Sequence, residues 1–155
     1  MSFEGILSDI KVLDFSTLLP GPLASLFLSE MGAEVIKVER LKFGDEMRRK
    51  TPEIEGTNVS FAILNRGKKS IEIDLKNDLQ KDKLKKIIKE VDIVLEQFRP
   101  GVMKRLGLDY DTIKIINPKI IYVSITGYGQ EGPKSNFAGH DLNYIGDTGL
   151  LNLSM

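Results

Sequence analysis

The stretch from Lys11 to Glu39, KVLDFSTLLPGPLASLFLSEMGAEVIKVE, decides the fold. It begins with a β-type run, Lys11 to Ser16, and passes through a Pro-Gly-Pro turn into a segment whose apolar residues recur at helical spacing. We expect Pro22 in the first turn of that helix and Gly32 just beyond its end, where a proline and a glycine are each favoured. A second β-type run, Ala33 to Glu39, completes a βαβ unit whose crossover should be right-handed.

The alternation of strand and helix continues downstream. The sequence predicts strands over residues 70–75, 92–95 and 119–126, and helices over 79–91, 102–106, 110–116 and from 140 toward 151. The polar segment 41–60 contains Gly44, Pro52 and Gly56 and predicts a mobile loop. Together these elements indicate an α/β fold, namely a Rossmann-like open, mostly parallel sheet with helices on both faces.

Composition limits the classes of partner. The chain has 155 residues, enough for one domain, and its 22 Lys and Arg balance 22 Asp and Glu, so we expect no binding to nucleic acid or to a membrane. The absence of cysteine excludes disulfides, thiolate metal sites and thiol catalysis within this chain, and it suits a reducing compartment. Neither a membrane-spanning run nor a secretory signal can be recognised, so we expect a cytoplasmic protein.

His140 is the single histidine, and it lies between a Gly-rich segment, residues 127–133, and the predicted last helix. Backbone N–H groups at a helix N-terminus favour negative charge, so a carbonyl oxygen that becomes an enolate could be stabilised there. The same dipole disfavours imidazolium and keeps the ring able to accept a proton. The sequence therefore predicts a base beside an oxyanion site. The alternative is a histidine that only forms local hydrogen bonds.

Several cations fall near predicted strand ends, which form the ligand-bearing edge of an open α/β sheet. If they converge, they could hold a phosphorylated ligand such as coenzyme A, whereas the alternative is an ordinary solvated surface. The residues are Arg40, Arg66, Lys68, Lys69, Arg99 and Arg105.

A nicotinamide-dependent enzyme is a further alternative, because Glu39 ends the second strand where a ribose-binding acid would lie. The turn Leu19-Pro20-Gly21-Pro22 lacks the G-x-G-x-x-G spacing, however, and its prolines remove backbone donors that would hold a pyrophosphate. The pattern therefore disfavours a dinucleotide site.

A series of short motifs runs in order through the chain: PGP at 20–22, GAEVIKVER at 32–40, NRGKKS at 65–70, DLK at 74–76, FRPGV at 98–102, RLGL at 105–108 and GYGQ at 127–130. In this order they resemble the N-terminal part of a family III CoA-transferase of the CaiB/BaiF type. The segment AGHDLNY at 138–144 further resembles the part that marks the α-methylacyl-CoA racemase branch of that family.

The resemblance implies a substrate and a set of site residues. The substrate would be a 2-arylpropionyl or 2-methyl-branched acyl-CoA, whose α-carbon is inverted by removal and return of a proton through an enolate. His140 matches the family's histidine base, and the backbone N–H of Asp141 would stabilise the enolate. No metal and no covalently bound cofactor is implied, since coenzyme A enters as part of the thioester. By position, the residues that resemble the family's contacts to coenzyme A are Leu18, Leu19, Arg40, Gln97, Phe98 and Arg105.

The chain also departs from the family pattern. Inversion needs an acid/base group on each face of the enolate, and the family's second base is an aspartate that would lie beyond Met155. We therefore expect residues 1–155 to be the N-terminal part of the large CoA-binding domain, without the smaller domain or the C-terminal return segment, and to be inactive alone.

We expect the full-length parent to be a homodimeric enzyme of the racemase branch. Two alternatives for the function stay open beside the nicotinamide-dependent enzyme. The parent could instead be a CoA-transferase that moves coenzyme A between carboxylic acids through an aspartate nucleophile. The chain itself could be a non-catalytic binding or dimer-capping module.

Overall fold

A computed structural model describes residues 5–153 of the protein. The strands are β1 Lys11–Asp14, β2 Glu34–Arg40, β3 Glu53–Ile54, β4 Thr57–Asn58, β5 Lys69–Ile73, β6 Ile93–Glu96 and β7 Ile121–Ser124. The helices are α1 Pro20–Glu30, α2 Val59–Asn65, α3 Asp78–Ile88, α4 Val102–Leu106, α5 Tyr110–Ile116, α6 Asp141–Asp147 and α7 Leu150–Leu153, and a 3-10 turn spans Glu46–Arg49.

The main sheet has five strands in the order β5-β2-β1-β6-β7. Every pairing within it is parallel, so all five carboxyl ends lie along one edge. The chain moves outward from β1 to β2 and β5, then returns to the other side of β1 to add β6 and β7. The gap between the ends of β1 and β6 is therefore the topological switch point, where open α/β sheets bind ligands.

Both faces of the sheet are covered, which confirms the predicted fold class. Alternate strand residues such as Leu13 and Val94 point to one face, where they pack with Leu84 of α3 and Ile113 of α5 in the main core. Val12 and Val35 point to the opposite face, which α1 covers. The core therefore sits on both sides of β1, the central strand of the sheet.

The predicted helix ends in the βαβ unit are confirmed. Pro20 and Pro22 both lie in the first turn of α1, and Gly32 follows the helix with a φ of +105°, a left-handed conformation that glycine adopts without a side-chain clash. The bounds of α4 and α5 match the predicted 102–106 and 110–116.

The structure differs from the predicted local structure in two places. The segment 41–60, predicted as a loop, contains three elements that were not predicted: the 3-10 turn, the β3–β4 hairpin and the start of α2. Its Arg48 binds Glu39 of β2 and lies 3.9 Å above the ring of Phe61, contacts that local sequence does not reveal. The predicted last helix is interrupted after Asp147, since Gly149 takes a φ of +77° and separates α6 from α7.

None of the helices between residues 5 and 153 combines the length and apolar character needed to cross a bilayer. The residues Met1 to Glu4, on which the signal-peptide prediction rests, lie outside the described range. Among residues 5–153, no cluster of three or more acidic or histidine side chains is placed to hold a metal ion.

Candidate functional site

The segment 16–22, which we call the β1–α1 loop and which includes the first turn of α1, lies at the switch point. Gln97 directly follows β6 and holds this loop at two places: its Nε2 donates to the carbonyl oxygen of Thr17 at 2.7 Å, and its Oε1 accepts from the N–H of Gly21 at 2.9 Å. Leu18 and Leu19 lie between these two anchors, and Leu19 is exposed. The structure thus brings together three of the predicted coenzyme A contacts, namely Leu18, Leu19 and Gln97.

Gly21 is required by this close packing. A Cβ atom at that position would lie 2.6 Å from Oε1 of Gln97 and would also overlap the side chain of Ser16. Any larger residue would push the loop away from the end of β6. The PGP motif at 20–22 is therefore explained by sterics as well as by helix initiation.

Arg40, at the end of β2, borders a separate open cavity of about 570 Å³ on the same edge of the sheet. Its guanidinium lies 4.6 Å above the ring of Phe43 and is exposed to solvent. The cavity is lined by Arg40, Leu41, Lys42, Phe43, Asp74 and Lys76. Three cations against one carboxylate favour a phosphate-bearing ligand there.

Arg99 borders a second open cavity, of about 430 Å³, beyond the ends of β6 and β7. Arg105 does not line that cavity and lies exposed on α4, over Gly101. Phe98 is half-buried and packs against the main core, while its N–H donates to Glu96 at 2.8 Å. Neither Phe98 nor Arg105 therefore shares the contacts that join Gln97 to the β1–α1 loop.

The six cations do not converge, so they do not form the common phosphate site that convergence would have allowed. Lys69 begins β5 and pairs with Glu34 at the start of β2, which is the opposite edge of the sheet. Arg66 pairs with Glu30 at the end of α1. Lys69 lies at the start of its strand, so it is at the edge of the sheet opposite the carboxyl ends.

Lys68 is also unavailable to a ligand, since its side chain is 1% exposed. Its Nζ donates to the carbonyl oxygen of Pro22 and to Oγ of Ser25, both at 2.8 Å, and lies 3.7 Å from the buried carboxylate of Asp14. Burial lowers the pKa of Lys68 to about 8, although the charge of Asp14 opposes this fall. Lys68 therefore belongs to a buried network beneath the first turn of α1.

Glu39 has no carboxylate oxygen left for a ribose. Its two oxygens accept from Nε and Nη2 of Arg48 at 2.7 and 2.6 Å, and they also accept from Oγ of Ser70 and the N–H of Asp45. Burial opposes ionisation of this side chain, yet these hydrogen bonds outweigh it and lower the pKa of Glu39 to about 2. The single residue that pointed toward a dinucleotide site thus has a structural role.

His140 precedes α6 and is exposed, as is Asp141, the first residue of that helix. The N–H of His140 donates to Oδ1 of Asn143 at 2.9 Å. The hydroxyl of Tyr144 donates to the carbonyl oxygen of Gly139 at 2.9 Å, and its ring leaves no space for a side chain at Gly127, just after β7. These contacts hold the start of α6 at the carboxyl edge of the sheet, with the imidazole outside the packed core.

The described contacts do not join His140 to the β1–α1 loop or to Arg40. Sequence reasoning also missed Lys37 and Asp45, which are both buried and lie 3.0 Å apart beneath that loop. One signal was present, because a lysine inside the apolar run VIKVE must find a buried partner.

The sheet order, the switch-point loop and the exposed histidine define an α/β protein with a candidate ligand site at the carboxyl edge of a Rossmann-like sheet. Residues 7–155 match CoA-transferase family III, and the chain belongs to this family. It is 39% identical to the succinate–glutarate CoA-transferase of Agrobacterium fabrum over 96% of this chain, and 37% identical to the mouse α-methylacyl-CoA racemase over 94%. A crystal structure of a CaiB/BaiF family protein from Brucella suis superposes with a TM-score of 0.88 at 37% identity, over 94% of this chain.

The chain spans only part of these proteins. It covers 39% of the length of the Agrobacterium transferase, 34% of the mouse racemase and 40% of the Brucella structure. The identities to a transferase and to a racemase are nearly equal, at 39% and 37%, so the comparisons establish the family and do not distinguish the two reactions.

Proposed function

We propose that this chain is the N-terminal part of the large CoA-binding domain of an acyl-CoA enzyme of the racemase type. In this proposal the chain contributes the coenzyme A surface and one of two acid/base groups that invert the α-carbon of a 2-methyl-branched acyl-CoA. The observation that carries the proposal is the position of His140, which is solvent-exposed at the start of α6 and held by Tyr144 at the ligand-bearing edge of the sheet.

The coenzyme A moiety would lie along that edge. Leu18 and Leu19 would contact the pantetheine arm, because Gln97 fixes the loop that carries them. Arg40, beside the cationic cavity at the end of β2, would contact a phosphate. Arg105 and Phe98 remain contacts by resemblance alone.

His140 would take the α-proton from the face of the thioester that it meets. The thioester oxygen gains negative charge as the C–H bond breaks, and the N–H of Asp141 is one of the donors at the start of α6 that could receive that charge. Return of the proton to the opposite face requires a second group, which the family resemblance assigns to an aspartate beyond residue 155. The chain alone should therefore bind the thioester without inverting it.

A CoA-transferase is the second candidate, and the 39% identity to the Agrobacterium enzyme favours it. That reaction would use the same coenzyme A surface but would attack the thioester carbonyl instead of the α-proton. His140 would then have no obligatory role in proton transfer.

The first experiment uses the chain of residues 1–155. Calorimetry should detect coenzyme A binding, and incubation with either enantiomer of a 2-methylacyl-CoA in D₂O should give no inverted product by chiral chromatography. Inversion by this chain would overturn the proposal that it supplies only one of the two acid/base groups. Absence of coenzyme A binding at millimolar ligand would overturn the proposed coenzyme A surface.

The second experiment joins the chain to the remaining sequence of its parent protein. A racemase should incorporate deuterium at the α-carbon with inversion, and His140→Ala should abolish this while Lys134→Ala, an exposed cation of the same segment, should not. Transfer of coenzyme A from succinyl-CoA to glutarate without α-deuteration would instead establish the transferase.

A further inference from the structure

A buried ion pair lies directly beneath the β1–α1 loop. Lys37 stands in the middle of β2, opposite Asp14 of β1 in the register of the sheet, and only 1% of its side chain is exposed. Its Nζ donates to the carbonyl oxygen of Ser16 at 2.7 Å and lies 3.0 Å from Oδ2 of Asp45. Asp45 is fully enclosed as well, although it follows β2 by only a few residues.

The pair connects two segments of the candidate site. On one side, Lys37 holds the carbonyl of Ser16, and Oδ1 of Asp45 accepts from the N–H of Leu18 at 3.3 Å. On the other side, the same Oδ1 accepts from the N–H of Met47 at 2.9 Å and so caps the 3-10 turn that follows Arg40. The loop with Leu18 and Leu19 is thereby fixed relative to the segment that carries the cationic cavity.

The loop needs such restraint, because Leu18 has a φ of +61°. A leucine rarely adopts this left-handed conformation, and it persists only where the surroundings enforce it. The anchors from Gln97 act on the carbonyl before Leu18 and the N–H of Gly21 after it. The Lys37–Asp45 pair supplies the anchors at Ser16 and at Leu18 itself.

Stability alone does not account for two charges at this place. Burying an ion pair costs desolvation energy, and an apolar pair of similar volume is often as stable. Oδ2 of Asp45 has no well-directed hydrogen bond, so the nearby charge of Lys37 is what offsets its burial. A direct contact with a ligand phosphate is also excluded for Lys37, since its ammonium is covered by protein.

We propose that Lys37 and Asp45 form a positioning pair that holds the β1–α1 loop in the shape that binds the pantetheine arm of coenzyme A. This inference rests on the proposed coenzyme A surface and adds two residues that do not touch the ligand. It separates their task from that of Arg40, which would bind a phosphate directly.

The test is the double variant Lys37→Met/Asp45→Asn. It removes both charges together, so no unpaired buried charge remains. The tether to Ser16 is lost, and the charge-assisted bonds that Asp45 accepts from Leu18 and Met47 are replaced by weaker bonds to a neutral amide oxygen. The matched control is Lys69→Met/Glu34→Gln, which removes an exposed ion pair between β5 and β2 at the opposite edge of the same sheet.

Affinities for coenzyme A and for pantetheine, measured by calorimetry, are the first readout. We expect the double variant to lose about tenfold in affinity for both ligands, because the loop must be ordered on binding, and the control to lose nothing. A loss for coenzyme A alone would overturn the inference, since it would indicate a phosphate contact. Unchanged affinity for both ligands would overturn it equally.

Amide hydrogen exchange is the second readout and does not depend on ligand. In the double variant, exchange at Leu18 and Gly21 should accelerate at least about tenfold while the amides of α3 and α5 keep their protection. Acceleration throughout the chain would show a merely structural role, and no acceleration at the loop would refute the tether. If the unaltered chain binds neither ligand, the proposed function fails, whereas the exchange data still decide whether the pair holds the loop.

Discussion

The hydrogen-bonded carboxylate of Glu39 predicts a defined acid dependence of stability. Its pKa falls from 4.5 to about 2 in the folded protein, because the hydrogen bonds from Arg48, Ser70 and the Asp45 amide outweigh the cost of burial. A fall of that size corresponds to about 3 kcal/mol of stability at neutral pH, at about 1.4 kcal/mol for each tenfold change in proton affinity. Since the side chain of Arg48 is 42% exposed, solvent screening should reduce the contribution to about 2 kcal/mol.

The direction follows from the two pKa values. The folded state holds the Glu39 proton more weakly than the unfolded state does, so the contribution is complete above pH 4.5 and is lost as the pH falls toward 2. Glu39→Gln should therefore lower the free energy of unfolding by about 2 kcal/mol at pH 7, and the difference from the unaltered chain should shrink progressively in acid.

Urea denaturation followed by circular dichroism, repeated at decreasing pH, measures this difference. The matched control is Glu34→Gln, which removes an exposed ion pair with Lys69 and should change stability by less than about 0.5 kcal/mol. A difference between Glu39→Gln and the unaltered chain that stays constant with pH would refute the electrostatic explanation and assign the loss to packing.

Three further predictions concern the core, the switch point and the buried network. Leu84→Ala should cost about 2–5 kcal/mol of unfolding free energy in urea, because Leu84 is fully buried in the main core, whereas Leu79→Ala on the exposed part of α3 should cost less than about 0.5 kcal/mol. Gly21→Ala should weaken coenzyme A binding in calorimetry by overlapping Ser16 and Gln97, while Gly146→Ala, with open space around it, should leave that affinity unchanged; equal affinities for all three proteins would contradict the role of the loop. Because burial lowers the pKa of Lys68 from 10.5 to about 8, the unfolded state binds more protons between these values, so stability should rise with pH across this window. The rise should be absent in Lys68→Met, and an identical pH profile of thermal unfolding in both proteins would disprove it.

The order and type of most elements could be predicted from the sequence, because their signals are local. The βαβ unit at residues 11–40 follows from apolar spacing and from where proline and glycine are allowed, and α4 and α5 have the predicted bounds. The segment 41–60 could not be predicted in this way. The structure of this segment depends on the contact between Arg48 and Glu39, which belongs to β2. The composition of the segment is polar, as in most loops, and does not reveal that contact.

The candidate site also contains residues that the sequence could indicate and others whose contacts only the structure shows. His140 and the PGP turn could be recognised from residue type and neighbours, and the structure places both at the carboxyl edge of the sheet. The sequence could not show whether Lys68 and Lys69 join the other cations. In the structure the side chain of Lys68 turns inward to Pro22 and Ser25, and Lys69 lies at the opposite edge of the sheet.

Sequence by itself therefore determined the α/β class, the family and the chemistry available along the chain, since periodicity, turn residues and motifs are properties of neighbouring residues. Tertiary structure alone decided which charges meet. Lys37 and Asp45 form a pair beneath the β1–α1 loop only because the parallel register sets Lys37 beside the end of β1 and the chain after β2 folds back over it. Whether a cation binds a ligand or supports the backbone depends on this packing, because burial and the distance to a counter-charge determine what a charged side chain can contact.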